Sequence, residues 1–271
     1  MNPQADRCRG ALIGLAAGDR NGGPTRMALE LAASLLARKA FDRTDVLSRY
    51  VRWWRAGGAD SGPIAAAVLD RVSRGTDPAV AVDSVDRDAT GMTAGCNPAH
   101  RSVPLAMAGF LNEDDLAPIA MAEAAVTHKH PLAGDVSACV VLLCRALIVG
   151  RSWNEALRET MTGRSEAVVL AVDQAPTRPG GIGGYAPEVL QTALHFLIGA
   201  HDFTSALDSS LRYAGPANYS PVLVGAIGGA RWGATQARTA FSDNRAVTQV
   251  VPTLFTTADA LEATWPSDSP G

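Results

Sequence analysis

Residues 214–233 read AGPANYSPVLVGAIGGARWG. The second half opens a helix at Ser220-Pro221, where proline suits a first helical turn, and continues in small and apolar residues. Gly225 and Gly229 are spaced by four, so they fall on one helical face and let another helix approach closely. The first half, AGPANYS, is a loop whose Asn218 and Tyr219 are neutral hydrogen-bonding groups. Neither suits Mg²⁺, which prefers carboxylates and water.

Outward from this stretch the pattern is helical nearly everywhere. Residues 24–38, PTRMALELAASLLAR, place Met27, Leu31 and Leu35 on one face behind Pro24. Comparable segments lie near 6–18, 43–56, 62–74, 98–111, 115–128, 131–149, 152–163, 186–201, 203–213, 220–236 and 244–264. Residues 165–172 are rich in β-branched side chains and read equally as a strand or a short helix. The segment 131–149 is apolar on most sides, as a central helix ringed by others would be. Connections are short and no linker divides the chain. The pattern predicts one all-α domain over residues 1–271.

Composition narrows the function. With 271 residues, 47% of them apolar, the chain can bury a sizeable core. The net charge of −3 comes without a basic run, so nucleic acid is not an expected partner. Cys8, Cys96, Cys139 and Cys144 form no CxxC and suggest buried thiols in a reducing, cytoplasmic setting. The N-terminus MNPQADRCRG is not a signal peptide. The apolar run from Val136 to Leu143 is too short for a bilayer, so no membrane partner is expected.

Helical folds carry chemistry in their loops, and six stretches stand out. RGALIGLAAGD (9–19) ends in Asp19, which a helix C-terminus disfavours unless something else holds it. WWRAGGADSGP (53–63) sets Asp60 in a small-residue loop, either facing a cleft or capping, with Ser61, the helix at Pro63. GCNPAHRSVP (95–104) brings Asn97, His100 and Arg101 to a helix start, where Arg101 pairs with a phosphate or with a core carboxylate. THKHP (127–131) presents His128 and His130, weak evidence for a metal without a third ligand, since a histidine at a helix start more often makes structural hydrogen bonds. PTRPGGIGGY (176–185) is a glycine-rich loop ending in Tyr185, and is not a dinucleotide fingerprint. AGPANYS is the sixth.

Taken in order, these stretches resemble the ADP-ribosylglycohydrolase family, over roughly residues 7–236. RGALIGLAAGD is similar to its opening helix, and GPTRMALELAASLL to the helix after its Thr-Asp-Asp-Thr motif. WWRAGGADSGP, GCNPAHRSVPLAM and THKHPLAG match its middle motifs. AGPANYSPVLVGAIGGARWG is similar to its closing motif, in which Gly-Gly-Asp-x-Asp-Thr precedes a small-residue helix. The resemblance implies an all-α orthogonal bundle that hydrolyses a glycosidic bond to ADP-ribose with two Mg²⁺ ions. The departures fall on the metal ligands. Gly22, Gly23 and Pro24 stand where the family has Thr-Asp-Asp. Pro216, Ala217, Asn218 and Tyr219 stand in place of the closing Asp-x-Asp-Thr.

With both ligand sets replaced, no dinuclear site and no cofactor is expected. The resemblance then implies a metal-independent glycohydrolase acting on an N-glycosidic bond in an ADP-ribose-, NAD-derived or nucleoside-like small molecule. Bonds to cationic leaving groups such as pyridinium need least help. Asp60 is the first candidate for the base and Asp19 the second. Asn218 and Tyr219 would fill the vacated metal space and bond the ribose hydroxyls. Arg101 and Arg178 would hold phosphate, and Tyr185 would stack on a base beside Gly183 and Gly184. Asn97, His100, His128 and His130 complete the expected ligand contacts. The alternative is a catalytically inactive protein that binds ADP-ribose or a relative.

Overall fold

The computed structural model describes residues 2–241 and 247–266. In chain order the helices are α1 (Pro3–Gly18), α2 (Gly23–Arg38), α3 (Arg43–Arg55), α4 (Pro63–Ser73), α5 (Pro78–Asp88), α6 (Asn97–Arg101), α7 (Val103–Met107) and α8 (Glu113–Ala124). They continue with α9 (Pro131–Ile148), α10 (Trp153–Thr160), α11 (Glu166–Gln174), α12 (Ala186–Ile198), α13 (Phe203–Ala214), α14 (Ser220–Trp232), α15 (Ala234–Ala237) and α16 (Val251–Glu262). Among the described residues the only β pairing is an isolated bridge between Gly95 and Tyr185. The all-α expectation holds, and Ser165–Val172 resolves as the first part of helix α11 with its cap.

The closest helix pair is α1 with α14. A Cβ on Gly14 would collide with the Gly225 carbonyl, and one on Gly10 with the Gly229 carbonyl. Gly18 meets Pro221 in the same way. As numbers rise along α1 they fall along α14, so the two helices run antiparallel with backbones touching. This register sets the C-terminus of α1, and Asp19 after it, against the loop that leads into α14.

Helix α9 is the central one. It is long and apolar enough to span a bilayer, yet 83% of that stretch is buried inside the protein. Helices α6, α7, α8, α10 and α14 all pack on it. One large apolar cluster runs from Cys8 to Leu261, while Val68, Ala81 and Val85 form a small separate one between α4 and α5. All four cysteines are buried, and burial pushes their thiols far up, to about 12 for Cys8 and Cys139.

Three boundaries differ from the sequence reading. The segment 98–111 is two short helices broken at Ser102, because Pro104 cannot continue the first one's hydrogen bonding. The helical segment 220–236 is divided by Gly233, whose φ of 86° ends α14. Helix α5 was not anticipated. Asp77 caps it from Ala79 and Val80 N–H, and Pro78 sits in its first turn. Part of the expected 244–264 segment lies outside the described residues.

Candidate functional site

Asp19 lies where two helices meet. It ends α1, which disfavours a carboxylate, and it also stands over the N-terminus of α2, which favours one. Gly22 N–H donates to Oδ1 at 2.7 Å, and Thr25 N–H and its hydroxyl donate to Oδ2 at 2.9 and 2.7 Å. Asn21 N–H adds a fourth bond at 3.2 Å. The residue is fully buried. Asp19 therefore braces α1 against α2, whereas the sequence made it the second candidate for the base.

Asp60 is its more exposed counterpart, with the residue at the surface and the carboxyl partly covered. It does not cap α4, whose cap is Gly62 with no side-chain bond. The backbone at Asp60 has φ 59°, a left-handed turn that Asp and Asn tolerate better than most residues. That turn sends the carboxylate back towards α2. There it accepts from Asn21 Nδ2 at 3.2 Å and Asn218 Nδ2 at 2.9 Å. Burial pushes its carboxyl above the ordinary carboxylate range. The bonds from Asn21 and Asn218 offset part of that rise, and the charge of Asp19 adds to it.

Asn218 joins the two acids. Its Nδ2 also donates to Asp19 Oδ1 at 2.9 Å, while its Oδ1 accepts from Arg20 N–H at 3.0 Å. The last bond fixes which end of the amide faces the carboxylates. Arg20 in turn clamps the loop by donating to the carbonyls of Gly215 and Ala217.

These groups open on a cleft in two parts. The first, about 340 Å³, is bounded by Trp54, Asp60, Pro63, Asn97, Asn218 and Tyr219. The second, about 530 Å³, adds Ile64, Met92, His130, Gly184 and Tyr185. Pro63, Asn97 and Tyr219 wall both. Tyr219 stacks on His100 and sits 3.4 Å from where a Cβ on Gly184 would be, so glycine there makes room for the ring. The glycine-rich loop is pinned in place. Cys96 N–H donates to the Gly184 carbonyl at 3.0 Å, and Ala186 N–H to Ala94 at 2.9 Å.

Several expected ligand contacts lie elsewhere. Arg101 is fully buried and paired with Glu123 at 2.7 Å, over the Tyr50 ring and bonded to Thr127. Burial works against its charge, and Glu123 and Tyr50 more than restore it. Buried and paired in this way, it joins α6 to α3 and α8. His100 and His128 are buried beneath the cleft floor. Burial drops His100 to about 4, partly countered by Asp19, and drops His128 to about 3 with help from Arg101. His130 caps α9 by accepting from Leu132 N–H, although the residue also walls the wider part of the cleft. Arg178 walls a different cavity, across Tyr185, and donates to Gln174. A Cβ on Gly183 would meet no atom within 4 Å. Sequence reasoning passed over Trp54, Ile64 and Met92. The Trp53-Trp54 pair was a visible signal, whereas Met92 sat in a stretch with no pattern to read.

An acid in a left-handed turn, an asparagine bridging it to a buried second acid, and a tyrosine at the closing helix all occupy the loops picked out by the motif order. The sequence profile described as ADP-ribosylglycohydrolase matches residues 1–265. The chain belongs to the ADP-ribosylglycohydrolase family. Over 214 residues it is 28% identical to the ADP-ribosyl-[dinitrogen reductase] glycohydrolase of Rhodospirillum rubrum, covering 77% of this chain and 68% of that protein. A solved ADP-ribosylglycohydrolase-related protein complex shares the fold with a TM-score of 0.79 and 25% identity, over 97% of this chain and 99% of that one.

The two Mg²⁺ ions implied by the ADP-ribosylglycohydrolase resemblance can be tested against these residues. Two carboxylates face the point between α1, α2 and α14, against four positive charges. Among the described residues no cluster of three His, Cys, Asp or Glu stands ready to hold a metal. The amide of Asn218 points its N–H groups at both acids, and an N–H donor does not ligate a cation. The residue set does not fit a dinuclear magnesium centre.

Proposed function

We propose that this member of the ADP-ribosylglycohydrolase family hydrolyses the N-glycosidic bond of an ADP-ribose-, NAD- or nucleoside-like small molecule, and does so without a divalent metal. The observation that carries the reading is the pair of bonds from Asn218 Nδ2 to Asp19 and Asp60, at 2.9 Å each. The amide protons, with the N–H groups at the start of α2, offset the two negative charges in the way a cation otherwise would.

Hydrolysis at a ribosyl carbon passes through an oxocarbenium-like state, which needs nearby negative charge and an activated water. Asp60 supplies both. Its carboxylate has lone pairs left after the bonds from Asn21 and Asn218, and it faces the cleft. Its raised pKa makes it a better proton acceptor than an ordinary aspartate. Asn97 and Tyr219 stand where the two parts of the cleft meet, suited to bonding the ribose hydroxyls. Tyr185, 44% exposed, offers a ring face at the wider end for a flat base.

The test is turnover of NAD, nicotinamide riboside and ADP-ribosylarginine with and without EDTA. Turnover untouched by EDTA and lost in Asp60→Asn supports the reading. Turnover abolished by EDTA and restored by Mg²⁺ overturns metal independence. Thermal stabilisation by ADP-ribose with no turnover identifies a binding protein instead.

A further inference from the structure

We propose that the cleft selects ribosides whose leaving group is a cationic, quaternised heterocycle, such as a pyridinium or 7-alkylpurine ring on the ribosyl carbon. This rests on the glycohydrolase reading and names its substrate class.

The first ground is the supply of protons. A glycosidase that departs from a neutral or alkoxide-like leaving group pairs its base with a separate acid. In the part of the cleft that holds Asp60, the titratable groups in the wall are Asp60 and Tyr219. Asp19 is fully buried and His100 and His128 lie beneath the floor, each below 3% exposure. Burial, with Cys96 and Asp60 nearby, pushes the Tyr219 phenol up and makes it a weak acid. In this part of the cleft one carboxylate therefore serves as base with no partner acid beside it, and His130, in the wider part, turns its Nδ1 to Leu132 N–H. A quaternised base needs no acid, because it departs as a neutral molecule.

The second ground is charge. Among the described residues neither part of the cleft has a lysine or arginine in its walls. Arg20 is turned to the carbonyls of Gly215 and Ala217, and Arg101 is paired with Glu123. What the wall does offer is a carboxylate at Asp60 and the indole of Trp54. An aromatic face beside an anion attracts a flat cation.

The step balances without a co-reactant. The bond from the ribosyl carbon to the ring nitrogen breaks, and its electron pair stays on nitrogen, which becomes neutral. Water oxygen bonds to the carbon, and one water proton passes to Asp60 and then to solvent. Each turnover thus releases one proton.

The experiment compares kcat/KM for nicotinamide riboside, NAD, ADP-ribosylarginine, ADP-ribosylserine and adenosine, with base release and proton release followed together. The pyridinium substrates are expected to exceed the O-linked and neutral ones by at least the ~10²-fold that a general acid is worth, with one proton released per turnover. Trp54→Leu is expected to raise KM for nicotinamide riboside about tenfold, and Trp54→Phe to stay within about threefold, as loss and retention of a cation–π contact predict. Equal or faster turnover of ADP-ribosylserine or adenosine overturns the leaving-group assignment, and equal or faster turnover of ADP-ribosylarginine overturns its restriction to ring cations; either leaves the glycohydrolase reading standing. No turnover of any substrate overturns both.

Discussion

Asn218 donates its side-chain amide to Asp60 at 2.9 Å, across 158 residues of chain. The contact exists because the glycine faces of α1 and α14 bring the end of one helix against the start of the other. Asn218 thereby reaches Asp19 as well, and Arg20 N–H holds the amide the right way round. The fold, the electrostatics of the acid pair and the proposed chemistry meet in this one side chain.

Asp60→Asn separates activity from stability. The raised pKa means that the folded protein holds the proton more tightly than the unfolded chain does. The ionised form therefore costs stability as pH rises from the unfolded value of 3.8 through the folded one. Asparagine removes that charge and tolerates the left-handed backbone at φ 59°. Activity is expected to fall by about 10²–10⁴-fold, the worth of a general base, while the melting temperature holds or rises. Steady-state kinetics and a thermal melt on one preparation check both. If the native protein turns over as proposed, the acidic limb of its kcat/KM should lie above that of an ordinary aspartate.

Gly14→Ala and Gly225→Ala test the helix pair that positions the site. Each added Cβ would overlap a main-chain carbonyl of the facing helix, which cannot rotate away as a side chain does. Overpacking of this kind costs about 1–3 kcal/mol and more where backbone must move. Urea unfolding should show that loss. Gly163→Ala, which meets no neighbouring atoms, isolates the cost of a left-handed φ without a clash.

Much of this was legible in the sequence, and the limits have physical causes. Gly225 and Gly229 announced a close helix contact, but only the structure shows that Gly14 and Gly10 receive it. Asp19 was marked as misplaced at a helix end. Its second helix, α2, begins after a three-residue turn, and no pattern rule reads two helix termini at once. Arg101 was open between phosphate and core carboxylate. The deciding partner, Glu123, lies in α8, and pairing between distant helices leaves no local signal. Helix α5 was missed although Asp77-Pro78 is an ordinary start, because its apolar face is narrow and packs only a small cluster.

Glu123→Gln measures what the buried pair under the cleft contributes. Arg101 and Glu123 are both fully buried, and Tyr50 OH donates to the same Glu123 oxygen at 2.7 Å. Removing one charge leaves the other uncompensated in an apolar setting. Such losses cost about 3–5 kcal/mol, far more than an exposed pair of the same length. Chemical denaturation of Glu123→Gln beside Asp83→Asn, which breaks the exposed Lys129–Asp83 pair, provides the contrast.

His100 and His128 predict acid sensitivity. Both are held below their unfolded value of 6.5, to about 4 and about 3. A histidine buried neutral contributes stability that is complete above the unfolded pKa. That contribution falls as pH drops through the window down to the folded value, because the unfolded chain takes up the proton first. Each residue steepens the loss by up to about 1.4 kcal/mol per pH unit inside its window. Unfolding free energy measured from neutral pH towards pH about 4 should fall less steeply in His128→Asn than in the native protein.

Asn218→Asp asks whether the amide has taken a cation's place. The substitution sets a third carboxylate against Asp19 and Asp60, and at these distances like charges repel strongly unless one is protonated or a cation binds. Without divalent ions the variant should melt below the native protein. Mg²⁺ should recover part of that loss by binding the folded state alone, since three acids now converge where two did. The native protein, whose amide already offsets the pair, should melt at the same temperature with Mg²⁺ or EDTA. Asn218→Ala removes the amide without adding charge, so it should lower stability in a way that Mg²⁺ does not repair. A native protein stabilised by Mg²⁺ and destabilised by EDTA would show that the pair of acids binds metal despite the intervening N–H groups, and the account of this site would fail at its first step.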